Sequence, residues 1–344
     1  MPTFKKLQIL MIEKLRKLSL WNIVKFLLAI GLVIFVVKKT DFAQIILLSK
    51  RLSWTWLSFR AIFFIILILL KSFQYYSLIG GVHYKNVLNV VVWQNAISNF
   101  ISNSAGIASY MTMLKAEQNV KLTRSGFTFV IVKFGDLLTI CLYLIFSAIV
   151  VWNQIQPLQS LTILLVLGIL SGLGIFLITI LLRERFVNFV ERILAWLKLD
   201  RFSLVSRGLE MLRSLAEENQ QVIFSLLRTG IFTSLIYMSA TMVYAYTIIG
   251  IFDLPIGIWS SIYITTLLQL VSFVPIQVLG GLGVSDLTMV YLFGIFGISQ
   301  AEMSAISLGV RALFYTMNAL MLLYIPINAL IQKKKRKDYS NASE

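Results

Sequence analysis

The chain has 344 residues, of which 58% are hydrophobic and only 13% are charged, and its formal net charge is +16. Soluble domains have a charged share of about 25%, so a soluble globule is excluded and a polytopic membrane protein is indicated. The single cysteine, Cys141, excludes a disulfide framework and a cysteine-based metal site. We therefore expect an all-α integral membrane protein.

The N-terminal residues 1–20 are basic and are predicted to stay in the cytoplasm. An apolar run at 21–37 leads into Lys38 and Lys39 without the cleavage site of a signal peptide, so we predict a retained first span. Further apolar runs, several of which reach the roughly 20 residues needed to cross a bilayer, lie at 57–80, 125–151, 159–182, 229–251, 255–275 and 303–331. The stretches too broken by Asn, Ser, Gly and Pro to be ordinary spans are 86–113 and 276–298.

Basic residues indicate the cytoplasmic loops, because Lys and Arg are retained on that side. Besides the N-terminus, the basic segments predicted to be cytoplasmic are 115–124, 183–228 and 333–337. The weakly charged segments predicted to be external are 152–160 and 250–257. The exception is 38–51, which this topology places outside despite four basic residues and which we interpret as an interfacial segment.

The predicted sides of the loops agree with the number of spans only if each broken stretch returns to the side of the membrane from which it enters. We therefore predict one re-entrant hairpin over 86–113, entering from the cytoplasm, and another over 255–298, entering from outside. Irregular backbone at membrane depth occurs only inside protein or along a water-filled cavity. The predicted hairpin tips, 99–106 and 275–283, are therefore candidate cavity linings.

Counted along the chain, about six full spans and two hairpins form an inverted repeat, in which a first half at 21–151 is followed by a second at 152–331. The second half contains an amphipathic cytoplasmic segment at 183–228, and a basic cytoplasmic tail at 332–344 follows it. Many transporters place a substrate site near the midplane between two such halves.

The two halves also resemble each other locally, at a constant offset of 178 between residues 103–138 and 281–316. The paired positions are Gly106 with Val284, Val120 with Ile298, and Lys133 with Arg311. Two apolar helices that are alike in composition alone remain an alternative explanation. The match of two cations within apolar runs favours a true repeat.

The second tip holds Pro275, Gly280, Gly281 and Gly283, followed by Asp286. Proline frees backbone carbonyls, glycine permits positive φ, and a helix that starts after Gly283 directs unpaired N–H groups toward the break. Such a helix start can bind an anionic group such as a phosphate. A simple connecting turn is the alternative.

Ionisable residues inside spans are costly unless they are paired or hydrated, so they mark candidate sites. Lys133 and Asp136 are three apart on one helix and are predicted to pair. Asp286 is the predicted partner of Arg311. Structural ion pairs and headgroup ligands are both open for these four residues. Lys71 is predicted to snorkel from a span end.

The chain resembles the transmembrane, flippase-like region of the lysylphosphatidylglycerol synthase family, which includes the multiple peptide resistance factor. The resemblance rests on the second tip with Asp286 and on Ala105, Gly106 and the Lys133-x-x-Asp136 pattern. The family usually has an acid and an arginine where this chain has Ile107 and Tyr110, and commonly an arginine at Ser285. These departures weaken the case for anion coordination at the first hairpin.

The resemblance implies a lipid translocase of the cell membrane that binds an anionic or aminoacylated phospholipid between its halves. The substrate-binding candidates are Lys133, Asp136, Asp286, Arg311, Gly106, Pro275, Gly280, Gly281 and Gly283. The chain ends at Glu344, so the family's soluble synthase domain is expected to be absent.

Two alternatives remain open. One is a phosphatidylglycerol lysyltransferase-type enzyme linked to resistance against cationic antimicrobial peptides, and the other is a non-catalytic accessory subunit in envelope assembly. No metal, cofactor or nucleic acid is expected. The expected partners are the bilayer, a phospholipid, and either a second copy or a separate synthase.

Overall fold

The computed structural model describes residues 52–120, 122–182, 185, 187–189, 191–192, 220–273 and 283–324. No β-strand occurs in these ranges, and the prediction of an all-α polytopic protein is confirmed. The main helices are α1 (Trp54–Ile79), α2 (Tyr84–Phe100), α3 (Asn103–Gln118), α4 (Leu122–Val150), α5 (Gln159–Leu182), α6 (Gln220–Phe252), α7 (Ile258–Ser272), α8 (Val284–Ile295) and α9 (Gln300–Leu322).

Five of these helices are long and apolar enough to cross a membrane, namely α1, α4, α5, α6 and α9. They correspond to five of the six predicted full spans, and the sixth, at 21–37, lies outside the described residues. The helix α5 is the most apolar of the five, and much of its surface is exposed to the surroundings, including Leu164 and Ile175. Exposed leucine and isoleucine on such a helix are what contact with lipid requires.

The first predicted hairpin is present as α2 and α3, which pack against each other and are separated only by Ile101 and Ser102. The Ser102 hydroxyl accepts a hydrogen bond from the Ala105 N–H at 3.2 Å and so caps the start of α3. The break lies within the predicted tip at 99–106.

The second predicted hairpin consists of α7 and α8, which also pack against each other. Its connecting segment, with Pro275, Gly280 and Gly281, lies outside the described residues. Gly283 begins α8 with a φ of 87°, a conformation that glycine adopts without steric cost. At 12 residues, α8 is roughly 18 Å long and therefore too short to cross a bilayer.

Within the described residues, a span, a hairpin and a second span follow one another twice. The first set is α1, α2–α3 and α4, and the second is α6, α7–α8 and α9. The hairpins pack against the other half, because α2 contacts α9 and α7 contacts α4. The helices α1 and α6 pack along each other and run in opposite directions, since the Ser53 N–H before α1 donates to the Ile251 carbonyl near the end of α6 at 3.2 Å. The domain boundaries at 21–151 and 152–331 stay predictions.

The helices α4 and α6 approach each other closely at Gly135. A Cβ atom on Gly135 would lie 2.5 Å from the Ser234 Oγ and 2.8 Å from the Gly230 carbonyl, so only glycine fits there. Residues of both halves therefore meet where α4 and α6 cross. Asp136 is the next residue on α4, which explains why the fold can bury it against α6.

Candidate functional site

A cavity of about 400 Å³ lies between the two halves. Most of its lining residues carry polar groups, and they come from both halves, including Lys71 of α1, Asn95 and Asn99 of α2, Lys133 of α4, Gln269 of α7 and Ser285 of α8. Ligand pockets of this size commonly hold a molecule of the size of a lipid headgroup. We take this cavity as the candidate functional site.

Lys71 and Asp136 form the principal ion pair at the cavity. The Lys71 Nζ lies 2.8 Å from the Asp136 Oδ2, and the same ammonium donates to the Gln74 Oε1 at 2.8 Å. Asp136 is 1% exposed, and its Oδ1 accepts from the Gln74 amide at 3.0 Å and from the Ser234 hydroxyl at 3.0 Å. The carboxylate therefore has several donors, as a buried charge requires.

This arrangement corrects two predictions. Lys71 does not snorkel to a span end, because it lies eight residues, or roughly 12 Å, from the last residue of α1 and is held by Asp136. The predicted direct pair of Lys133 and Asp136 is also wrong, since the ion-pair partner of Asp136 is Lys71. The three-residue spacing placed Lys133 near the carboxylate, but the packing of α1 on α4 brings a closer cation.

Lys133 lines the cavity and forms no ion pair with any described carboxylate. Its ammonium lies 5.0 Å from the ring centre of Phe273 and 5.6 Å from that of Phe129. Aromatic faces attract a cation but do not cancel its charge. Among the described residues, this part of the cavity therefore has two lysines, Lys71 and Lys133, for the one carboxylate of Asp136.

Arg311 and Asp286 form the second ion pair, as predicted. The Arg311 Nη2 and Nε lie 2.8 Å and 3.2 Å from the Asp286 Oδ1, which also accepts from the Ser307 hydroxyl at 3.1 Å. The other carboxylate oxygen accepts the Gly283 N–H at 3.0 Å and thereby caps α8. Asp286 thus joins α8 to α9 and occupies the helix start that was predicted to bind an anion.

An amide network that the sequence did not reveal joins the first hairpin to α9. The Asn318 Oδ1 accepts from the amides of Asn95 at 2.8 Å and Asn99 at 2.7 Å, and Asn318 is only 1% exposed. Phe100 stacks on Tyr315 one turn away, with ring centres 5.9 Å apart. An asparagine inside the apolar run at 303–331 was the available signal, because buried amides need partners.

The remaining predicted site residues fall in different places. Gly106 lies in the first turn of α3, where a Cβ would come within 1.8 Å of the Ser98 Oγ, so it serves the packing of α2 on α3. Gly283 and Asp286 begin α8 beside the cavity residue Ser285. Pro275, Gly280 and Gly281 lie outside the described residues.

The geometry defines a class: a polytopic membrane protein with a polar, cationic cavity between two helical units. In the part of the chain that the structure describes, no three His, Cys, Asp or Glu side chains are grouped as a metal site needs. The family described as the lysylphosphatidylglycerol synthase TM region matches residues 22–321, and the chain belongs to that family. No curated protein and no solved structure matches the chain.

Proposed function

We propose that the protein binds the phosphate-bearing headgroup of an anionic or aminoacylated phospholipid in the cavity and moves it between the leaflets of the cell membrane. The observation that carries this proposal is Lys133, a charge without a described counter-ion in a cavity lined by both halves. Family membership supports a lipid-related role.

The charge balance favours an anionic ligand. A cation held at membrane depth is costly unless it is hydrated or paired. Lys71 has Asp136 in direct contact, whereas Lys133 forms no ion pair with a described carboxylate and has the Phe129 and Phe273 rings beside its ammonium. A phosphate group that enters the cavity would supply the missing negative charge, and the polar side chains of the lining would meet the polar glycerol or amino acid of a headgroup.

The surroundings of the cavity favour lipid translocation over the transfer of an aminoacyl group to lipid. Both hairpins and several spans contribute to its lining, as expected for a site between two units that move against each other. Acyl transfer with a serine or cysteine nucleophile needs an adjacent base, and the single histidine, His83, is exposed in the turn before α2. The lysyltransferase and accessory alternatives therefore gain no specific support from the described residues.

The proposal includes an orientation with both termini in the cytoplasm. Cysteines introduced at Asn153 and Lys115 of an otherwise cysteine-free protein should react from opposite sides of the membrane, Asn153 from outside. Labelling of both positions from one side would contradict the inverted repeat.

The decisive experiment measures lipid movement in proteoliposomes. A fluorescent phosphatidylglycerol in the outer leaflet should be exchanged faster with wild-type protein than in empty vesicles, and Lys133→Gln should slow the exchange at least tenfold. Lys85→Gln, which removes an exposed lysine from the start of α2, is the matched control and should exchange lipid like wild type.

The outcomes separate the alternatives. Equal exchange by wild-type and empty vesicles would reject translocation. Formation of lysyl-lipid from lysyl-tRNA and phosphatidylglycerol by the purified chain would support the transferase instead. Exchange that is unaffected by Lys133→Gln would keep translocation but remove Lys133 from the site.

A further inference from the structure

A second buried cation, Arg60, lies beyond one end of the cavity. Arg60 is 3% exposed and sits on α1 one turn before Phe64, which lines the cavity, and roughly 16 Å before Lys71. No described carboxylate forms an ion pair with it. A charged side chain that is nine-tenths buried without a counter-ion is rare in proteins and calls for an explanation.

The partners of Arg60 come from α6. Its Nη1 donates to the Tyr244 carbonyl at 3.2 Å and to the Thr247 hydroxyl at 3.0 Å. The guanidinium carbon lies 4.1 Å from the centre of the Tyr244 ring. These neutral contacts hold the guanidinium in place and leave its charge uncompensated.

Two buried donors at this place remain without a hydrogen bond to any described residue. They are the Arg60 Nε and the Tyr244 hydroxyl. Tyr244 lines the cavity and Arg60 does not, and the Tyr244 ring lies against the guanidinium. An oxyanion is the ligand that accepts from a guanidinium and a phenol together, and phosphate suits the planar guanidinium particularly well.

We propose that Arg60, with the Tyr244 hydroxyl, is a second binding station for a phosphate group, closed in this structure by the Tyr244 ring. This inference rests on the proposed function and deepens it, because it adds a step in which the headgroup passes from Lys133 and Lys71 toward the membrane side where α1 begins. That side is also where α6 ends, since Ser53 bonds to Ile251, and the predicted topology places it outside. Movement of the Tyr244 ring off the guanidinium opens the station.

The test observes Arg60 directly. In the full chain, ¹⁵N-labelled at arginine and held in phosphatidylcholine nanodiscs, the Arg60 Nε–Hε resonance is identified by its loss in Arg60→Lys. Addition of glycerophosphoglycerol, the water-soluble headgroup of phosphatidylglycerol, should shift this resonance, and so should phosphatidylglycerol added to the nanodisc. Inorganic phosphate is titrated in parallel.

Variants assign the contacts. Tyr244→Phe keeps the ring and removes the hydroxyl, and it should weaken the headgroup affinity seen at Arg60 roughly tenfold, as expected for one charge-assisted hydrogen bond. Tyr246→Phe, on the same helix but outside the cavity lining, is the matched control and should leave that affinity unchanged. Lys133→Gln should leave the Arg60 shift in place, because the two stations are separate.

Each result decides the proposal. An Arg60 resonance that none of the three ligands moves would overturn the station, as would a shift that disappears in Lys133→Gln. A shift with inorganic phosphate alone would support the station and assign it to free phosphate rather than lipid. A shift with the headgroup in a protein that exchanges no lipid would support the station while rejecting the proposed translocation.

Discussion

The cation at one repeat position has different partners in the two halves. Arg311 and Lys133 are related by the offset of 178, and each lies in the span that follows a hairpin. Arg311 is neutralised by Asp286 at the start of α8, whereas the equivalent position in α3 is Ala108, since 286 − 178 = 108. In the second half the cation therefore links two helices, whereas in the first half it lines the cavity outside any ion pair with a described carboxylate.

The first half contains an ion pair of its own. Asp136 corresponds to Phe314 in the second half, since 136 + 178 = 314. An apolar residue at that position needs no partner, and Phe314 also lines the cavity. The cavity is therefore asymmetric, with its charged residues on the side of the first half.

The largest expected effect on stability comes from Asp136. Asp136→Ala would leave the Lys71 ammonium without its counter-ion and Gln74 and Ser234 without an acceptor, so we expect a loss of about 3–5 kcal/mol in the free energy of unfolding. Denaturant titration in detergent micelles measures this loss. In a double-mutant cycle, Lys71→Met with Asp136→Leu should show strong coupling.

The control for this prediction is the cycle of Lys133→Met with Asp136→Leu. Its coupling should be clearly smaller than that of the Lys71 cycle, because Lys133 lies near Asp136 on the same helix but forms no ion pair with it. Coupling that is larger for Lys133 than for Lys71 would show that the partner of Asp136 has been assigned wrongly.

A smaller effect is expected for the pair of the second half. Asp286→Ala removes the partner of Arg311 and the cap of α8, but the Asp286 and Arg311 side chains are 12% and 16% exposed, so the arginine left behind stays partly hydrated. We expect a loss of about 1–3 kcal/mol, measured in the same titration. Asp286→Asn should cost less, because its amide oxygen can still accept the Gly283 N–H. Equal losses for both variants would mean that the cap contributes nothing.

Much of the fold was predictable because hydrophobic runs record membrane spans directly. The run at 159–182 coincides with α5, and the broken stretch at 86–113 marks the first hairpin, since Asn and Ser residues there are incompatible with contact to lipid. The link between Arg311 and Asp286 was also predictable, because the repeat placed the two residues on neighbouring helices across a short turn.

The rest of the site depends on which helices pack together, and a single sequence does not record that. Lys71 pairs with Asp136 across 65 positions, and Asn318 bonds to Asn95 across 223. Arg60 lay unnoticed in an apolar run, because its partners on α6 are backbone and hydroxyl groups that carry no charge signal. Gly106 was assigned to a binding tip since glycine serves close packing and ligand approach equally well.

The smallest effect on stability is expected where the effect on function is largest. Lys133→Met leaves no described partner without its counter-ion and removes a partly desolvated charge, so the free energy of unfolding should change by no more than about 0.5 kcal/mol or should rise. Lys71→Met, a change of the same chemistry on the paired lysine, should be clearly destabilising because it leaves Asp136 unpaired. If Lys133 serves a ligand, phosphatidylglycerol should raise the melting temperature of wild type and not that of Lys133→Met. A Lys133→Met protein that loses as much stability as Lys71→Met would show that the cation at this repeat position is structural in both halves. The asymmetry between the two halves would then carry no functional meaning.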